Sequence, residues 1–452
     1  MTSVSGTPAI PPHRVLSLPG VHAYASEKSL YAGDQITFFV SSEVPYFLSI
    51  YKPTQGADNE ILHAFPQSPP RVQPITPGSY IYIERGLPAN QTYEQFSVEL
   101  WVKPWAFGRR QALIGQVNLP DTCGFGLFLR ETGTIEFYVG DGGAFREEAV
   151  VESHSVDVQR WHHVVGTWDG SVATLCIDGK RAGARLIQGV FRAGSAPLRM
   201  GAAGVHGVAD QFADADLLMP VLYAQCLSPE QIAQRHDENG RYFPSGRFVL
   251  GCWPLQEQRG DRVQDASAHQ RVGRIINHAT WMINGPGFDN RVVGLHHATE
   301  PAYHPLTDPS HGRGIRFARD DLFDCRWEPT HTFTVPPDAR PGIYAARLTF
   351  AHEGAERTYD VTFIVKRPRA APPAPMLVLC ATNTWLAYST SPFPDSASLG
   401  EVWPRRGVGL KNSHLEAPRF SSYTAHHAGQ PAYYVGLRKP WPNASPSARY
   451  DP

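Results

Sequence analysis

The sequence predicts a mainly β protein of several parts: one β-sandwich built from both ends of the chain, a second β domain inserted within it, and the start of an α/β domain after a Pro-rich linker. Three observations carry this. With 40 Gly, 40 Pro and only 18% charged residues, the composition favours turn-rich β structure over long surface helices. Runs of alternating apolar and polar residues occur near the amino end and again far downstream, each too few to close a sandwich alone. Finally, Met376 to Cys380 (MLVLC) is a continuous apolar run following Arg367 to Pro375, the pattern of a strand buried on both faces.

At 452 residues the chain exceeds one ordinary core, so two to four domains are expected. Lys and Arg number 41 against 42 Asp and Glu, which gives no electrostatic case for nucleic acid or an anionic membrane as partner. The opening MTSVSGTPAIPPHR has no apolar core of signal-peptide length, and no run approaches the ~18 apolar residues of a membrane span. A cytoplasmic location is the expectation. The six cysteines, at 123, 176, 226, 252, 325 and 380, are scattered and read as buried thiols rather than a disulfide frame or zinc site. Asn443-Ala-Ser445 matches a glycosylation sequon but has no secretion signal to give it meaning.

Residues 1–13 read as a disordered tail. Strand-like runs follow at Val21 to Ala25, Gln35 to Ser42 and Tyr46 to Tyr51, the first half of a sandwich over residues 14–77. Their partners appear at His331 to Val335, Gly342 to Phe350 and Thr358 to Val365, within a stretch, 243–366, expected to hold a connection and the second half. Together they predict an immunoglobulin-like sandwich interrupted by an insertion, the alternative being two separate small β units.

The insertion, residues 78–242, alternates over FSVELWVKPW (Phe96 to Trp105) and shows two strands punctuated by Asp169-Gly170 and Asp178-Gly179, where both residues of each pair tolerate positive φ. Ser228-Pro229-Glu230-Gln231 predicts a helix start: Ser228 caps, Pro229 suits the first turn and Gln231 completes a capping box. FSVELWVKP, WHHVVGTWDG, LCIDGK and LSPEQI together resemble the laminin-G and concanavalin-like jelly-roll family. That resemblance implies sugar or calcium binding, with Asp210, Asp214 and Asp216 as candidate calcium ligands and Trp101, Trp105 and Trp168 as candidate sugar platforms. The aspartates form no recognisable metal loop, and Trp101 and Trp168 sit where strand cores need bulk, so packing is the preferred reading. His162 and His163 are adjacent on a strand and point to opposite faces, so they cannot chelate one ion together.

His296, His297, His304 and His311 are spaced irregularly among Pro and Gly and read as loop histidines. Beyond the linker (367–375), the α/β domain begins, 376–452, and Thr382, Asn383, Thr384, Trp385 and Tyr388 fall just past the carboxyl end of the expected strand, where such sheets carry their chemistry. ATNTWLAYS there, and Gly314 to Phe350 (GIRFARDDLFDCRWEPTHTFTVPPDARPGIYAARLTF), are similar to the N,N-dimethylformamidase large (beta) subunit family. The resemblance runs from about Leu16 to Tyr434. It implies an amidotransferase-like α/β domain, hydrolysis of a small amide to an amine and formate, and one ferric iron held by two tyrosines and a glutamate. A Lewis-acidic metal can polarise the carbonyl and deprotonate water, and anionic oxygens suit ferric iron. By the same resemblance Tyr388 is the first tyrosine ligand, and Tyr434, with Tyr433 as alternative, the second. Asn383 and Thr384 are the candidate catalytic side chains. A small companion subunit and a homo-oligomer are implied too.

In that family the glutamate follows the second tyrosine; Glu401 and Glu416 lie between the two and do not replace it. The sequence therefore predicts a fragment that binds iron weakly and does not turn over alone. No GxSxG, HExxH or P-loop is present, and Gly285-Pro-Gly-Phe288 lacks a phosphate-loop context. Cys380 with His414 or His426 has nothing nearby to activate the thiol, and Arg405-Arg406 reads as a solvated loop. The alternative to an amidohydrolase is a non-catalytic carbohydrate- or protein-binding β protein.

Overall fold

A computed structural model describes residues 9–54, 59–142, 150–187, 189–282, 285–287, 313–352, 354–372, 374–388, 426, 428–430 and 436–440, without the side chains of 386–388. The chain divides into two compact units: residues 1–14 with 78–321, and residues 15–77 with 322–452.

The first unit packs two large sheets face to face. One has the order Val150–Ser155, Thr134–Asp141, Cys123–Leu129, Gln111–Gln116, Leu198–Met200, Tyr80–Ile83, Gly273–Ile276, Arg262–Val263. The other runs Lys180–Leu186, Val172–Ile177, His162–Trp168, Phe96–Pro104, Ala215–Tyr223, Gly314–Phe317, Thr280–Met282, with Val249–Cys252 also paired to Ala215–Tyr223. Alternation places Phe96, Val98, Leu100 and Val102 of one sheet against Leu113, Phe125, Leu127 and Phe137 of the other in a core whose members are almost wholly buried. At the Asp178-Gly179 hairpin both residues have positive φ, 51° and 76°, the tight turn expected. At Asp169-Gly170 only the glycine does; Asp169 instead accepts from the amides of Ser171 and Val172, a side-chain turn that replaces the second positive φ. The helix α1 (Pro229–Asp237) begins with the full capping box, Ser228 and Gln231 each accepting from the other's backbone N–H.

Two expectations change here. Residues 243–321 are not merely a connection, because strands from this stretch extend both large sheets and belong to the same unit. The tail, too, is ordered over residues 9–13. His13 is buried, stacked on Phe212 at 4.8 Å, and Arg14 pairs with Asp210.

The second unit is a two-layer sandwich assembled from both ends of the chain. Its smaller sheet has the order Val21–Ala25, Gln35–Ser42, His331–Thr334; its larger, Ser29–Tyr31, Ala355–Lys366, Gly342–His352, Tyr46–Lys52, Glu60–Ala64. Ile36, Phe38, Leu48, Ile50 and Phe363 fill the space between. On the larger sheet Arg347 and Asp360 face each other and pair through two 2.9 Å bonds.

Met376 to Cys380 forms no strand, contrary to expectation. Met376, Leu377, Val378 and Leu379 are 79%, 91%, 75% and 90% exposed. A strand apolar on both faces needs paired edges and cover above and below, and among the described residues none pairs with this one. The α/β domain is therefore not formed among them. The chain goes directly into the short helix α2 (Thr382–Tyr388).

Candidate functional site

On α2, Asn383 and Thr384 are exposed, and Trp385 packs against a small cluster with Tyr24, Cys325 and Trp327. Tyr388 closes the helix, its side chain outside the described residues, as are Tyr433, Tyr434, Glu401, Glu416, Arg405, Arg406, His414, His296, His297, His304 and His311. Cys380 is half-buried and a free thiol, while His426 is buried and its amide bonds to the Gln430 carbonyl. Among the described residues no group of three or more His, Cys, Asp or Glu is placed to hold a metal. Ferric iron needs anionic oxygens, whereas Asn383 and Thr384 are neutral. The described residues thus do not make an iron site, and no chemical step is derived through one.

The jelly-roll candidates are occupied by other work. Asp216, fully buried, accepts from Arg316 at 2.7 and 3.0 Å and from the Trp105 indole at 2.9 Å. Asp214 takes Arg109 at 2.6 Å and lies 3.5 Å from Arg319. With arginines as counter-ions these aspartates do not offer a calcium site. Trp101 and Trp168 are 2% exposed and so cannot serve as sugar platforms; Trp105, half-buried, lies between Lys103 and Arg316. His162 binds Asp178 and His163 binds Glu99, so the two histidines do face different partners.

Sequence reasoning missed a buried network under α1. On Phe96–Pro104 the residues facing away from the core are Ser97, Glu99 and Trp101, and alternation alone would leave Glu99 in water. Instead α1 lies over this face with Ile232 and Arg235 turned inward. Fully buried, Glu99 accepts from Arg235 Nε at 3.1 and 3.2 Å, from Tyr223 Oη at 2.5 Å, and meets His163 Nε2 at 3.1 Å. Arg235 also bonds Glu238 and the Tyr242 carbonyl. Burial alone would raise the Glu99 pKa, but the His163 bond and the Arg235 charge outweigh it and lower it to about 2. The same burial, with the Glu99 charge, pushes the Tyr223 phenol well up. Beside it a cleft of ≈ 220 Å³ opens between α1 and residues 244–249. Two arginines line it: Arg235, committed to Glu99 and Glu238, so that the network fastens the helix, and Arg247, whose guanidinium lies over the Phe248 ring. The signal for it was Trp101, two residues from Glu99 on the same face: a tryptophan there needs cover, and whatever covers it also buries the glutamate.

Comparison with known proteins divides along the same parts. The concanavalin A-like lectin/glucanases superfamily matches residues 77–233, and the N,N-dimethylformamidase beta subunit-like, C-terminal family matches residues 282–449. Two curated relatives align over 95% of the chain at 23% identity: the N,N-dimethylformamidase beta subunits of an Alcaligenes species and of Paracoccus aminophilus. The chain is N,N-dimethylformamidase beta subunit-like. It is a distant homologue of those two subunits and spans 60% of the length of each. Among solved structures, an SAP-like pentraxin of Limulus polyphemus is 12% identical, over 42% of this chain and 82% of that one, with a TM-score of 0.28. Mouse laminin alpha1 domains LG4-5 are 12% identical over 40% of this chain and 48% of that one, TM-score 0.23. Scores this low carry no argument. The concanavalin-like assignment rests on the family match together with the two face-to-face sheets.

Proposed function

We propose that the protein acts as the large subunit of an N,N-dimethylformamidase-like amidohydrolase, cleaving a small amide with water to an amine and a carboxylate, formate for a formamide. The observation that carries this is the similarity to two N,N-dimethylformamidase beta subunits over 95% of the chain, which takes in both β units as well as residues beyond the linker. In this reading the β units are scaffold and assembly surface, an immunoglobulin-like role for the sandwich included. Iron held by Tyr388 and Tyr434, with Asn383 and Thr384 at the reacting carbonyl, is proposed from the family resemblance. A small companion subunit, a homo-oligomer and a cytoplasmic location belong to the same proposal; among the described residues, no helix is long and apolar enough to cross a membrane.

The test is amine release from N,N-dimethylformamide by the protein purified with whatever accompanies it. Asn383→Ala should lower the rate about a hundredfold at an unchanged melting midpoint, as loss of a single carbonyl-polarising donor does. Turnover unaffected by that change would remove Asn383 from the site. The chain alone is expected not to turn over; no amine release from this or related small amides when it is assayed with iron and with whatever accompanies it would sink the reading. A sugar-binding function gains no support from the jelly roll, whose candidate platforms Trp101 and Trp168 are buried.

A further inference from the structure

Among the described residues three buried arginines meet carboxylates: Arg235 has Glu99, Arg316 has Asp216 and Arg319 has Asp214, while the half-buried Arg347 has Asp360. Arg199 does not meet one. It is 3% exposed, its Nε makes no hydrogen bond, Nη1 donates to the Pro197 carbonyl at 3.4 Å, and its side-chain partner is the Tyr80 hydroxyl rather than an acid. The groups bearing on its charge are two phenols, Tyr80 and Tyr82, and no acid. A buried cation without a counter-ion is costly, and natural interiors either pair it or use it.

Its surroundings form a row. Arg199 on Leu198–Met200 pairs across the sheet with Gly115 on one side and Tyr82 on the other; Tyr82 pairs with Arg274, and Arg274 with Arg262. Directly opposed residues share a face. Because Leu198, Met200, Ile81, Ile83 and Ile275 fill the core, this row lies on the outer face of the sheet. Three arginines therefore share one cross-strand row, with Tyr82 between the first two, its ring 5.9 Å from the Arg199 Cζ, and no carboxylate in the row. On the same face, two residues before Tyr82, Tyr80 is buried and its hydroxyl meets Arg199. At Gly204 a Cβ would stand 2.9 Å from Arg199 Nη1, so a larger residue would crowd the fork. The amino-terminal arm borders the site, the Ala9 carbonyl accepting from Arg274 at 2.8 Å; residues 1–8 contain no Asp or Glu to neutralise it.

We propose that this row is a binding site for a small oxyanion of carboxylate or phosphate type, received by the Arg199 fork with Arg274 and the Tyr80 hydroxyl alongside. A planar guanidinium recognises two oxygens at once, which a surface lysine does not. The site lies in the concanavalin-like unit and is independent of the proposed amidohydrolase chemistry.

The experiment is thermal melting and titration calorimetry of the full chain with sodium acetate and with sodium phosphate, each against sodium chloride at matched ionic strength. A saturable rise in melting temperature and measurable binding are expected for at least one oxyanion, and the tighter of the two names the class. Arg199→Gln should abolish the response, and Arg199→Lys should weaken binding about tenfold because the charge remains while the fork is lost. Should Arg199→Gln not fold, Arg274→Gln decides, with an affinity expected to drop severalfold. No difference from chloride in the wild type, or an undiminished oxyanion response in the variants, overturns the proposal.

Discussion

The strands of the two β units and the segment 376–388 both carry apolar runs and end in opposite states. In the units, Ile114, Phe137 and Phe38 are fully buried, and even the charged Glu99 is covered. In the segment, four consecutive apolar side chains face water although the residues just after them carry the candidate chemistry. Burial depends on partners and not on hydrophobicity alone. Strands of the units find partners within the described residues, some from the far end of the chain; Met376 to Cys380 finds none.

The sharpest way to break that contrast is inside the first unit. Glu99→Leu removes the buried acceptor shared by Arg235, Tyr223 and His163 and leaves Arg235 only Glu238 as a carboxylate partner, so it should cost about 3–5 kcal/mol in urea unfolding. The same pair gives a pH signature. The folded pKa of Glu99 lies below its unfolded value, so its contribution is complete above the ordinary glutamate range near 4.5 and is lost as pH falls toward about 2. Stability of the wild type should therefore fall more steeply over that window than stability of Glu99→Gln; parallel curves would show that the network does not hold the charge. Matched deletions come next. Ile114→Ala, at a fully buried site, should cost about 2–5 kcal/mol, whereas Leu377→Ala, 91% exposed, should stay within about 0.5 kcal/mol. A large loss at Leu377 would mean that the run is covered in solution. The smallest effect is at the helix start: Ser228→Ala should cost about 1 kcal/mol, read by the same unfolding curves.

Most local structure was legible because local rules governed it. The runs 21–25 and 35–42 became strands with those bounds, and the Ser228 capping box formed as written. Non-local pairing was not legible. Nothing in Gly273–Ile276 announces that it pairs with Tyr80–Ile83, nor in Gly314–Phe317 that it joins Ala215–Tyr223, so the boundary of the inserted unit was drawn too early. The strand expected at 376–380 failed for the converse reason: its pattern states what it needs and not whether it is supplied. Of the candidate site, Asn383 and Thr384 emerge on a helix rather than past a strand, and the two tyrosines carried over from the family lie, in their side chains, outside the described residues. Arg199 escaped notice because an arginine between Leu198 and Met200 reads as an outward-facing residue, which it is; the alternation does not show the tyrosines and the Gly204 backbone that lie against it.

The measurement that bears most directly on the proposed amidohydrolase identity is the visible absorption of the purified chain titrated with ferric iron, alongside Tyr388→Phe and Tyr434→Phe. Phenolate bound to ferric iron is coloured, so the account predicts an absorption band in the wild type that each substitution weakens or removes. A wild type that stays colourless, or a band untouched by both substitutions, would contradict it.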